Sequence, residues 1–149
     1  LKKYDLINAT GVFQHEKKYK NLLSFLWRKT SKYLLFDVKF LDCEKDLNDI
    51  TKAFCDIDHN QIPFIMISPK KFFKILEKLE DVNSISLIAY ETKKNNITTL
   101  PSNVKNIVSA GILLEKKHSQ AIHSNSFTNY DGSLLVAKIK SVFEKFFIE

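Results

Sequence analysis

Glycine is almost missing from this 149-residue chain, which has only Gly11, Gly111 and Gly132. Three scattered glycines leave room for neither a GxGxxG fingerprint nor a P-loop, so the common backbone cradles for phosphate are excluded. Cysteine is scarcer still. Cys43 and Cys55 have no CxxC spacing and no further partners, which argues against a disulfide framework and a zinc site and suits a reducing, cytoplasmic setting. No apolar run approaches the ~20 residues that span a bilayer, and no signal-peptide pattern opens the chain, so no membrane role is expected. Arginine occurs once. All of the 23 basic residues except Arg28 are lysine, and with Asn, Ile and Phe also abundant, the net charge of +6 reflects general composition more than a nucleic-acid surface. Internal repeats and low-complexity tracts are lacking too.

What is present has the balance of one globular domain, with 44% hydrophobic and 27% charged residues. The stretch YDLINATGVFQHE, from Tyr4 to Glu16, reads as a buried strand running into a polar switchback that carries Thr10, Gly11, Gln14 and His15. A helix comes next, with Tyr19, Leu22, Leu23, Leu26 and Trp27 on one face and lysines largely on the other. KYLLFDVKF, from Lys32 to Phe40, is the next strand, interrupted by Asp37. Leu47, Ile50, Thr51, Phe54 and Cys55 then fall at helical spacing and predict a short covering helix. Ile62 to Ile67 is extended, because Pro63 disfavours helix for its predecessor. Ser68 and Pro69 supply an N-cap and a first-turn proline for a helix buried through Phe72, Phe73, Ile75, Leu76 and Leu79. Ile85 to Tyr90 and Ile107 to Glu115 are two further strands. Helix-length crossovers imply parallel strands with helices on both faces, whereas the last pair lacks a helix and predicts an antiparallel final strand. From Lys117 the chain turns polar, and Leu135, Ile139, Val142 and Phe146 then mark an amphipathic helix capped by Ser133.

The stretch from Tyr4 through Asp42 resembles the second half of a class I S-adenosylmethionine-dependent methyltransferase: its fourth strand with a ligand-facing turn, the next helix and the fifth strand. SPKKFFKILEKL resembles the helix before the sixth strand of that family, and SISLIAYE with NIVSAGILLEKK resembles its closing pair of strands. IPFIMISPKKFFKIL also resembles a methyltransferase group associated with surface polysaccharide synthesis. The likeness covers about Tyr4 to Lys117 and rests on a VFQH-like turn and an order of elements. It implies an α/β fold, a partial Rossmann-like sheet over residues 1–117, with residues 118–149 forming a polar linker and terminal helix. The family's glycine-rich loop and the acidic residue after its second strand have no counterpart here. The chain is therefore expected to be part of a larger domain, with the missing wall of the pocket upstream of Leu1.

By position, the resemblance places Asn8, Ala9 and Thr10 at the methionine end of S-adenosylmethionine, with Phe13 packed beside it. Methyl transfer is a direct displacement, so alignment is the main contribution. His15 is the candidate base where the acceptor must lose a proton, Gln14 could orient an acceptor hydroxyl, and Asp37 could bind a small-molecule or saccharide acceptor. Blander readings remain open. Gln14 and His15 could satisfy backbone amides at a helix entry, as could Asn8 and Thr10, and Asp37 could be solvated at a strand end. CDIDHN, at Cys55 to Asn60, has metal-like residue types without companion ligands. Two other functions stand beside methyl transfer: a noncatalytic α/β interaction module, whose exposed sheet edge is covered by a partner, another copy or the terminal helix, and a lysine-rich nucleic-acid binder.

Overall fold

A computed structural model of the protein describes residues 2–42, 45–92, 98–102, 104 and 107–117. The chain begins with strand β1 (Tyr4–Ala9), makes one 3-10 turn at Phe13–His15, and continues into helix α1 (Tyr19–Lys29) and strand β2 (Thr30–Phe40). Next come β3 (Phe54–Ile57), β4 (Asn60–Pro63), helix α2 (Pro69–Leu76), β5 (Val82–Glu91), the two-residue β6 (Thr98–Thr99) and β7 (Val108–Lys116). Four strands form one sheet in the order β1-β2-β7-β5, and three form a smaller one in the order β4-β3-β6.

The expectation of a parallel, Rossmann-like α/β sheet is overturned by this arrangement. Strands dominate, the described residues hold only two α-helices, and the large sheet is mixed: β1 pairs parallel to β2, while β7 pairs antiparallel to both β2 and β5. The small sheet is wholly antiparallel. Among the described residues, helices do not cover both faces. The Tyr19 ring of α1 lies 6.4 Å from Phe72 of α2, and Phe72 in turn meets Phe36 and Phe40 of β2, which places both helices on one side.

The physical reason lies in the segment after β2. In place of the expected covering helix, Phe54–Ile57 and Asn60–Pro63 form a hairpin. Its two-residue turn puts Asp58 and His59 at φ values of 49° and 64°, the left-handed backbone that matches strand twist in tight hairpins. Of the residues at helical spacing there, Cys55 joins a separate small core with Ala53, Phe64, Met66, Val104 and Ile107, and Leu47 packs against it. The same hairpin contains CDIDHN, and no group of three or more metal-ligating side chains occurs among the described residues.

The main core arises from strand alternation. Leu34, Phe36, Val38 and Phe40 of β2 and Val108, Ala110, Ile112 and Leu114 of β7 point to the helix side and are all fully buried. They receive Leu23 and Trp27 of α1 and Phe72, Phe73 and Leu76 of α2. Helix α2 starts at Pro69 after Ser68, as the N-cap pattern predicts, although the Ser68 hydroxyl makes no capping bond. Instead the Ser68 amide donates to Asp46 Oδ1 at 2.9 Å. Among the described residues, no helix is long and apolar enough to cross a membrane. The amphipathic pattern after Ser133 and the polar stretch with His118 and His123 lie outside the described residues.

Candidate functional site

β1 ends at Ala9 beside Phe36 of its parallel neighbour β2, which runs on to Phe40, and polar side chains collect where β1 leaves the sheet. Ala9 pairs with Phe36, so the residues after each, Thr10 and Asp37, emerge at the same level. Thr10 donates its amide to Asn8 Oδ1 at 3.1 Å, a local bond that turns the chain out of the strand. Gly11 completes that turn at φ +75°, where a side chain would be strained, and its amide donates to Asp37 Oδ1. A carboxylate from the neighbouring strand thus pins the turn, while Asn8 and Thr10 stay exposed beside it.

Asp37 belongs to a longer polar line. Its Oδ2 lies 3.4 Å from Lys39 Nζ, and the two side chains are only 13% and 14% exposed. Lys39 also donates to Ser109 Oγ at 2.7 Å, and the Ser109 hydroxyl meets that of Thr92. Opposite Asp37 in β7 stands Gly111, whose missing side chain leaves the carboxylate uncovered from that strand. Sequence reasoning misses Lys39, Ser109 and Thr92. Lys39 shares the strand face of Asp37 because it comes two residues later, which the alternation of KYLLFDVKF could have shown. Ser109 and Thr92 join through register alone and carry no signal in the sequence.

The other candidates are drawn away from this cluster. Phe13 is fully buried and stacks on Phe36 with ring centres 4.7 Å apart, so its ring belongs to the core, and Ala9 is buried there too. Gln14 is buried as well: its carbonyl accepts from the Ile65 amide at 2.7 Å, and its side-chain Oε1 has no partner. His15 Nδ1 lies 2.7 Å from the Pro63 carbonyl, which can only accept, so Nδ1 carries hydrogen and Nε2 keeps the lone pair of the neutral ring. The 3-10 turn therefore joins β1 to the small sheet, and the polar groups of Gln14 and His15 serve largely to hold that joint.

A second polar relay links α1 to α2. The Tyr19 hydroxyl donates to Asp46 Oδ2 at 2.9 Å, and burial, then the charge and hydrogen bond of Asp46, push its ionisation far above the ordinary tyrosine value. A broad surface depression, lined in part by Ser24, Phe25, Arg28 and Glu80, lies on the helix side and away from Asp37. For S-adenosylmethionine, the described residues offer the exposed Asn8 and Thr10 beside the Gly11 turn, but no glycine-rich loop and no cradle for a ribose. Scans against models of known protein families and against curated proteins find no match to this chain.

Proposed function

We propose that this chain carries part of the site of an S-adenosylmethionine-dependent methyl transfer, located at the carboxyl end of β1 beside Asp37 of β2. The observation that supports the reading is the pinned turn: Asp37 of β2 holds the Gly11 amide and leaves Asn8 and Thr10 exposed together where β1 ends. When bound, S-adenosylmethionine would supply an electrophilic methyl group. The chain's own residues would contribute alignment. Asn8, with Thr10, would hold the methionine end, and Asp37, which retains acceptor capacity beyond Gly11 and Lys39, would orient an acceptor hydroxyl such as that of a saccharide. The reading requires a second wall for the pocket from residues other than those described.

Calorimetric titration of S-adenosylhomocysteine, into this chain and into the product of the whole reading frame, tests it. Binding to either, weakened about tenfold or more by Thr10→Ala or Asp37→Ala, is the expected result. No binding to either would discard methyl transfer. A second reading, a noncatalytic interaction module, is favoured by the exposed apolar side chains of Leu6, Ile88 and Tyr90 on the large sheet, and for it self-association or partner binding would persist without any response to S-adenosylhomocysteine.

A further inference from the structure

Composition alone explains a net charge of +6, but not where the fold gathers it. Helices α1 and α2 run side by side in the same direction: Tyr19 at the start of α1 meets Phe72 in the first turn of α2, and the Trp27 indole near the end of α1 donates to the carbonyl of Glu80, just past α2, at 2.8 Å. Each helix buries one face in the main core and turns the other outward. From Lys17 to Lys29 five residues are basic and none is acidic, and from Pro69 to Lys78 four are basic against Glu77 alone. The ion pairs among the described residues involve Lys32, Lys39 and Lys52 instead, so the helix side keeps its positive charge unneutralised. The depression of about 600 Å³ on this side has one wall from α1, where Asn21, Ser24, Phe25 and Arg28 recur at helical spacing, and another from Lys78, Leu79 and Glu80. Its volume falls within the roughly 300–1,000 Å³ of sites that receive a compact organic group. Phe25 is 49% exposed there, and Lys29 Nζ lies 5.8 Å from the centre of its ring.

We propose that this groove binds single-stranded nucleic acid, with a base stacked on Phe25 and the adjoining phosphates held by Arg28 and Lys78. An exposed ring set among cations in a concave surface is the combination that tracks a single strand, since every base offers a face for stacking and every phosphate a charge. Arg28 and Lys78 are both exposed, and neither side chain has a hydrogen-bond or ion-pair partner among the described residues, so both are available to a phosphate. Lys71 and Lys74, also exposed, precede Lys78 at helical spacing and extend the positive track along α2. Glu80 on the rim repels phosphate and directs the backbone toward the Arg28 side. A duplex fits this surface less well, because its bases are already stacked on one another and leave nothing for Phe25. An anionic membrane fits less well too: the apolar faces of both helices are spent in the core, and Phe25 is the one large exposed apolar side chain on either helix, too little to insert into a bilayer. The groove lies away from Asp37, and the inference is independent of methyl transfer.

Fluorescence anisotropy of an end-labelled oligothymidylate of ~12 nucleotides, titrated with the full chain at about 50 mM salt and then at rising salt, tests the proposal. The expected result is binding that weakens with salt at a log–log slope of about −1.4 or steeper, as two or more phosphate contacts require. Phe25→Ala should weaken binding about tenfold with the slope unchanged, and Phe25→Tyr, which keeps a ring, should retain it. Arg28→Ala with Lys78→Ala should weaken binding and flatten the slope by about 1.4. Lys2→Ala with Lys3→Ala removes the same charge away from the groove and should change affinity by less than about twofold. All of these side chains are exposed, so each variant should melt like the unsubstituted chain. Absence of binding at low salt would overturn the proposal, as would binding that ignores Phe25→Ala or responds equally to both pairs of lysine and arginine substitutions. Tighter binding to phosphatidylserine vesicles than to the oligonucleotide, lost with Phe25→Ala, would also overturn it and make the groove a lipid-binding surface.

Discussion

Tyr19 and Asp37 are the two residues at which single groups decide most. The Tyr19 ionisation lies well above its unfolded value of 10.0 because the hydroxyl is buried and faces Asp46. Above pH ~10 the unfolded chain releases this proton and the folded chain retains it, so the unfolded state binds fewer protons and stability falls as pH rises. Urea denaturation from about pH 9 to about pH 11 should therefore show a loss of stability that Tyr19→Phe reduces. Asp37 is tested differently. Asp37→Ala strands the Gly11 amide and removes the counter-charge of the partly buried Lys39, and should cost about 2 kcal/mol in the same assay. Asp37→Asn keeps an acceptor for Gly11 and should cost less. Asp37 was legible as a candidate because a carboxylate inside an apolar strand needs a partner, but its partner, a backbone amide 26 positions away, was not.

At the scale of elements, the α1 terminus and the β3-β4 hairpin carry separate tests. Lys116 of β7 donates to the carbonyls of Trp27 and Thr30 at 3.0 and 3.1 Å and sits over the Trp27 ring, so a strand supplies the positive cap for the end of α1. Burial is the main reason its ionisation falls below the usual lysine value of 10.5. In the window between its lowered folded value and 10.5, the unfolded chain holds the extra proton, so this residue makes stability rise with pH. Lys116→Met keeps the stem over Trp27 and should remove that rise, together with about 1 kcal/mol of capping stabilisation, as read by denaturation across this window. In the hairpin, His59 is held at φ 64°, and His59→Gly should stabilise the protein by about 0.5 kcal/mol, measured as a higher Tm. The α1 and α2 stripes were legible because one face of each helix meets the core. The hairpin was not, since spacings of three and four residues over a short stretch fit a helix as well as a strand with its flanking turn.

For the whole molecule, the main core hangs on Phe72, which contacts Tyr19, Phe36, Phe40 and Phe73 and so ties α1, α2 and β2 together. Phe72→Ala should cost about 3–5 kcal/mol, since the cavity would open where three elements meet. Calorimetric melting should show this as a large drop in Tm with one cooperative transition, because the sheet and both helices share that core.

Helical periodicity and the Ser-Pro pattern, read in the sequence, marked which residues could be buried: the stripe of α1, and the start and stripe of α2. These are local properties, set by the period of each backbone and by the fixed φ of proline. The polar switchback after β1 was visible for the same reason, through Asn8, Thr10 and Gly11. The tertiary structure decided which strands became neighbours and in which direction, and therefore that the large sheet is mixed, with both described helices on one of its faces. Only that pairing brings Gly11, Asp37, Lys39 and Ser109 into one line while drawing Gln14 and His15 toward the small sheet. Hydrogen bonds between distant strands carry no local periodicity, and a shift of one residue in register would turn every one of these side chains to the opposite face.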